Sequence, residues 1–116
     1  LIPGFSQTAF KIKSCCRSFL VLVIDWLDTF AKADYRSAKY WISITDASNS
    51  RYEIVEANVI HDGSNAYVAT FGSTTSYSAP LCTFSADISG SNVRLRVVNI
   101  TSNSIVFKYQ RIAIDV

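Results

Sequence analysis

Charge is scarce in this 116-residue chain, where Asp, Glu, Lys and Arg together make up 17%. A disordered tail would be rich in charge and poor in aromatics, whereas 49% of these residues are hydrophobic and 13% aromatic, so the sequence reads as a packed globule. The length suits one domain with a real core and is short for two. The net charge is +2, and the basic residues are scattered except for Lys11, Lys13 and Arg17, so no nucleic-acid partner is expected. Cysteine occurs three times, at Cys15, Cys16 and Cys82, an odd count with a vicinal pair that argues against a disulfide framework. Zinc needs about four ligands at regular spacing, which these cysteines and the single histidine do not offer, so no metal and no cofactor are expected. Long apolar runs are missing too. Phe19 to Ile24 is six residues before Asp25 interrupts it, against about 7–15 for a signal peptide and about 20 for a membrane span. Neither a signal peptide nor a transmembrane segment is read, and no membrane partner is expected.

What is present is regular alternation. In "KYWISIT", Tyr40, Ile42 and Ile44 share one face, and Lys39, Trp41, Ser43 and Thr45 the other, the period-two pattern of a half-buried strand. "RYEIVEANVI" follows the turn "DASNS", with Glu53, Val55, Ala57 and Val59 on one face, which is therefore mixed. "NAYVATFG", "LCTFSADI", "VRLRVVNI" and "IVFKYQRIAIDV" continue the series, with Val93, Leu95 and Val97 directed inward. The last of these predicts a β-bulge near Arg111, because its apolar phase shifts from Phe107 and Tyr109 to Ile112, Ile114 and Val116. "TFAKADYRSAK" reads as a crossover loop. The result is an all-β chain, an antiparallel β-sandwich, jelly-roll-like or Ig-like, of about seven strands. Residues 1–24 read as an N-terminal arm or extension, and residues 25–116 as a single β-sandwich domain.

The candidate chemistry is thin. His61-Asp62-Gly63-Ser64 separates two strands, and Asp-Gly is a strong hairpin signal because Gly accepts positive φ and Asp tolerates the left-handed region. Neighbouring His61 and Asp62 diverge on a strand end, and no Gly-x-Ser-x-Gly elbow accompanies them, so no catalytic residue is assigned. Glu53 and Glu56 fall on opposite faces and make a poor acid/base pair. Asp46, Ser48 and Ser50 supply too few carboxylates for calcium. Arg94 and Arg96 share a face and could contact an anion, although a basic stripe on an edge strand also blocks aggregation. Trp41 projects opposite Tyr40, Ile42 and Ile44, Tyr77 sits in the loop "GSTTSYSAP", and Asn99-Ile100-Thr101 is a formal glycosylation sequon.

The pieces "YRSAKY" (35–40), "HDG" (61–63) followed by an aromatic-containing strand, and "DISGSNVRL" (87–95) resemble a recurring C-terminal β-rich domain of virion structural proteins from marine, cyanophage-like tailed phages. The resemblance runs from about Asp25 to Val116. It implies a non-enzymatic virion structural or appendage module, localised in the particle, whose partners are copies of itself and other virion proteins. A second class is a carbohydrate- or host-receptor-binding module contacting a host-surface glycan through loop residues such as Tyr77, Asn65 and His61. Trp41, Tyr77, Arg94, Arg96 and His61 are the interface or ligand-contact candidates.

Overall fold

The computed structural model describes residues 10–19, 24–101 and 103–116, with side chains from Trp26 onward. Eight strands follow one another: β1 (Phe10–Phe19), β2 (Ile24–Ala31), β3 (Tyr35–Asp46), β4 (Arg51–His61), β5 (Ala66–Thr75), β6 (Cys82–Ser89), β7 (Asn92–Asn99) and β8 (Ile105–Asp115). A single 3-10 turn, Ala47–Asn49, joins β3 to β4. The strands form a five-stranded sheet in the order β1-β8-β3-β4-β5 and a three-stranded sheet in the order β2-β7-β6, with antiparallel pairing throughout. This is the all-β sandwich expected from the alternation. Strand β1 lies within the stretch read as an arm and pairs with β8 from Phe10 opposite Ile114 to Phe19 opposite Ile105.

The core forms where the inward faces meet. Tyr40, Ile42 and Ile44 of β3, Val55, Ala57 and Val59 of β4, and Phe107 of β8 are buried against Leu27, Val93, Leu95 and Val97 of the smaller sheet. Each large aliphatic or aromatic side chain removed from water contributes about 1.5–3 kcal/mol, so this layer supplies most of the drive for the sheets to associate.

Two expectations are corrected. The segment read as a crossover loop is mostly strand: Thr29, Phe30 and Ala31 end β2, and Tyr35 begins β3. The chain passes from one sheet to the other in the turn Lys32–Asp34, where the Asp34 amide donates to the Ala31 carbonyl (3.1 Å) and the Lys32 amide to that of Ser91 (3.0 Å). The bulge expected near Arg111 is absent from β8. Alternation continues unbroken, with Arg111 and Ala113 buried and Ile112 and Ile114 exposed. The phase looked broken because a buried arginine was not foreseen.

That arginine belongs to a polar cluster bridging the sheets. Asp28 of β2 accepts hydrogen bonds from the hydroxyls of Tyr40 (2.9 Å) and Tyr109 (2.9 Å) and from Arg111 Nη1 (2.8 Å), which also reaches the Thr29 carbonyl (3.2 Å). Asp28 is 1% exposed and Arg111 8%. A charge moved into such a site costs several kcal/mol unless it is paired and hydrogen-bonded, and Asp28 is given three donors here. Burial, then the adjacent Asp28 carboxylate, pushes the Tyr40 hydroxyl far above its ordinary titration range. For Arg111, burial alone would lower the pKa, but the Asp28 charge outweighs it and holds the guanidinium ionised.

The stretch around the single histidine is a turn. Asp62 Oδ1 accepts from the amides of Ser64 (2.9 Å) and Asn65 (2.7 Å), the Asp62 amide donates to the Asn65 carbonyl (3.0 Å), and Gly63 has φ +96°. Only glycine adopts that conformation without strain. His61 itself is 4% exposed. Its Nδ1 accepts from the Gly63 amide (3.0 Å), which leaves the proton on Nε2 for the Tyr35 carbonyl (2.7 Å). Both ring nitrogens are thus engaged by backbone, and the histidine pins the hairpin to the start of β3.

Candidate interaction surface

Among the described residues, the outward face of the five-stranded sheet carries most of the exposed large hydrophobic side chains. Side chains across β8, β3, β4 and β5 line up in rows fixed by the register. Ile114, Ser37, Ile60 and Tyr67 form one, Ile112, Lys39, Asn58 and Ala69 the next, and Gln110, Trp41, Glu56 and Phe71 the third. Trp41 (54% exposed), Ile60 (49%), Tyr67 (53%), Phe71 (42%), Ile112 (42%) and Ile114 (55%) all project here. A hollow of about 620 Å³ opens between them, lined mainly by Ile60, Tyr67, Val68, Ile112 and Ile114. A second hollow, of about 450 Å³, adjoins it around Trp41, Glu56 and Gln110.

Within these three rows the charges are paired, while Lys108 projects from the adjoining row of the same face, opposite Ser43. Lys39 Nζ lies 2.9 Å from Glu56 Oε1 and 5.8 Å from the centre of the Phe71 ring. An exposed pair of this kind contributes little to stability, but it leaves the surrounding apolar patch without net charge. Contiguous exposed apolar surface is a common feature of interaction sites, whereas isolated exposed hydrophobes are ordinary, which makes this face the candidate.

The other sequence candidates do not converge on Trp41. Arg94 and Arg96 project from β7, the central strand of the smaller sheet, which corrects their reading as an edge-strand stripe. Arg94 grips Asp87 of β6 through Nε (2.7 Å) and Nη2 (2.6 Å), and Arg96 reaches the same carboxylate at 3.4 Å. The Arg94 hydrogen bonds, with the Arg96 charge, hold the Asp87 carboxyl below the usual carboxylate range. Tyr77 lies in the β5–β6 loop, with the Arg51 guanidinium stacked 3.8 Å from its ring centre and its amide donating to Thr75 Oγ1 (2.9 Å). Glu53 faces inward at 5% exposure and accepts from the Leu81 amide (2.9 Å) and the Ser73 hydroxyl (2.9 Å), fixing both ends of that loop. Cys82 is buried beside it, and desolvation, with the Glu53 charge nearby, pushes its thiol far up. Among the described residues no group of three or more His, Cys, Asp or Glu side chains is placed to hold a metal, and no helix is long and apolar enough to cross a membrane.

The surface residues that sequence reasoning passed over are Ile60, Tyr67, Phe71, Ile112 and Ile114. The available signal was the same alternation that located Trp41, continued through β8 with Arg111 accepted as an inward residue.

Among solved structures, the fold is shared with part of a phage tailspike. The Acinetobacter baumannii phage AM24 tailspike protein aligns with a TM-score of 0.55 at 14% identity, over 93% of this chain and 26% of that one. Looser likenesses are the tailspike gp49 of Acinetobacter baumannii bacteriophage Fri1, a capsular polysaccharide depolymerase (TM-score 0.46, 20% identity, 92% of this chain and 18% of that one), and the tailspike of Acinetobacter phage vB_ApiP_P1 (0.45, 19%, 94% and 22%). The chain therefore spans about a quarter of the AM24 tailspike and less of the other two. No family model matches the chain, and no curated protein matches it.

Proposed function

We propose that this chain is a non-enzymatic structural module of a phage tail appendage that self-associates through its five-stranded sheet. The observation that carries the reading is the apolar patch on the outer face, bearing Trp41, Ile60, Phe71, Ile112 and Ile114. Three rows across four strands, at about 4.8 Å between strands and about 3.3 Å per residue, cover roughly 400 Å², the scale of a functional surface patch. The shared fold with the AM24 tailspike supports a place in the virion. Contacts with other virion proteins and a marine, cyanophage-like source rest on the sequence resemblance, while the structural likeness is to appendages of Acinetobacter phages. The non-catalytic reading is supported by the reactive groups themselves: His61, Asp28 and Glu53 are spent on structural hydrogen bonds and Cys82 is buried.

Glycan capture through Tyr77, Asn65 and His61 is the competing class. Arg51 already covers the Tyr77 ring and His61 is buried, so the sheet face is preferred. In a Trp26→Phe variant, the remaining tryptophan is expected to shift its emission to longer wavelength on dilution through dissociation, because Trp41 then meets water. Unchanged emission through dissociation would refute the role of this face, and specific glycan-array binding lost in Tyr77→Ala would favour the competing class.

A further inference from the structure

Two sheets have four edges, and natural strands at an edge normally carry charge, proline or a bulge to prevent another strand from pairing with them. The edge strands here are β1 and β5 in one sheet and β2 and β6 in the other. The sequence of β1 holds Lys11, Lys13 and Arg17, β2 holds Asp25 and Asp28, and β6 holds Asp87. Strand β5, "AYVATFGSTT", has no charged residue and no proline. Its far half is interrupted: the register moves from Ile54 opposite Thr74 to Glu56 opposite Phe71, so Gly72 (φ +65°) and Ser73 together face Val55 as a bulge. The near half, Ala66–Phe71, is regular, uncharged and free of glycine, and four of its six residues are aromatic or β-branched. Such a segment on an open edge is built to accept a strand.

We infer that this edge pairs with itself, β5 against β5 of a second copy, antiparallel about a two-fold axis through Ala69. The inference rests on the reading that the chain self-associates, and adds to it a second contact surface and a register. Residues directly opposite in an antiparallel pair share a face. With Ala69 on the axis, Tyr67 of each copy stands opposite Phe71 of the other on the outward face, and Val68 stands opposite Thr70 beneath. Tyr67 and Phe71 are both about half exposed in the single chain, and aromatic cross-strand pairs contribute favourably to sheet stability. The small side chain at the centre allows the two strands to close. Moving the axis to Val68 sets Tyr67 against alanine, and moving it to Thr70 drives the Gly72–Ser73 bulge into the ladder. Ala69 is thus the register that gains the aromatic pairs and confines the bulge to the end of the ladder, where Gly72 stands opposite Ala66. The joined sheets form one continuous surface, and the apolar patch with Ile60 runs across the junction.

Ala69 is exposed on the outward face, at the rim of the hollow near Ile112, so substitutions there spare the core, and position-specific cross-linking together with comparison to Ile112→Lys separates the edge from the face. Sedimentation of Ala69→Lys, which sets two like charges on the axis, is expected to show a smaller species than the wild type, with unchanged circular dichroism. In a Cys15→Ser/Cys16→Ser background, Ala69→Cys is expected to form a symmetric disulfide at least tenfold faster than Thr70→Cys. Opposed Cα atoms lie about 4.5–5.5 Å apart, within disulfide range, whereas the Thr70 positions are offset along the strands. An unchanged mass for Ala69→Lys together with equal cross-linking at 69 and 70 would overturn the edge contact while leaving the sheet-face reading intact. Loss of association in Ala69→Lys but not in Ile112→Lys would uphold the edge and overturn the face.

Discussion

At pH 11 the protein is expected to be about 4 kcal/mol less stable than at pH 8, an alkaline lability that comes from two buried protons. In the unfolded chain Tyr40 titrates near 10.0 and Cys82 near 9.0. In the folded protein both are raised: Tyr40 by burial and then by the Asp28 carboxylate that accepts its hydrogen bond, Cys82 by burial and then by Glu53. A group with a raised folded pKa stabilises fully below its unfolded value and loses that stability as pH rises, because the unfolded chain releases a proton that the folded one retains. Each unit above the unfolded value costs about 1.4 kcal/mol per group, giving about 3 kcal/mol from Cys82 and about 1 kcal/mol from Tyr40 at pH 11. Domains of this kind are stable by only about 5–15 kcal/mol, so urea midpoints should fall steeply above pH 9. Cys82→Ala should remove most of the fall and Tyr40→Phe the remainder. A flat profile from pH 8 to 11 would mean that neither proton is held.

Removing the Asp28 carboxylate is expected to cost about 3–5 kcal/mol, near the top of the range for a point substitution. Asp28→Ala leaves the Arg111 guanidinium without its counter-charge in the core and strands the hydroxyls of Tyr40 and Tyr109, which point at the same carboxylate. The loss spans the sheets, since Asp28 lies on β2 and its three donors on β3 and β8. The pair is not intrinsically worth that much, because desolvation offsets most of its attraction. Asp28→Leu combined with Arg111→Met should therefore be more stable than the two single losses summed, by about 1–3 kcal/mol in chemical denaturation. Strict additivity would show that the two side chains do not sense each other.

The sheets were legible in the sequence wherever alternation was pure. The inward phase of β7 and of the Tyr40–Thr45 part of β3 read correctly because Tyr40, Ile42 and Ile44, and Val93, Leu95 and Val97, leave no ambiguity, while the first residues of β3 read as loop. β8 misled because hydropathy treats arginine as outward. Only the convergence of Asp28, Tyr40 and Tyr109, distant in sequence, makes an inward Arg111 affordable, and no local pattern announces it. The hairpin at Asp62-Gly63 was legible from turn chemistry, but the burial of His61 depends on the Tyr35 carbonyl, 26 residues away. Arg94 and Arg96 read as an edge stripe because strand order is not written in alternation. Trp41 was found from its phase, and the patch around it was not, because it assembles from four strands whose register only the fold sets.

The most direct test of the account is sedimentation equilibrium of the chain across a concentration series, compared with Ile112→Lys, which puts a charge into the apolar face without touching the core. Reversible association of the wild type, weakened at least tenfold in the variant at unchanged secondary structure, is the predicted result. A wild type that remains at the 12.9 kDa of a single chain at every concentration would contradict it.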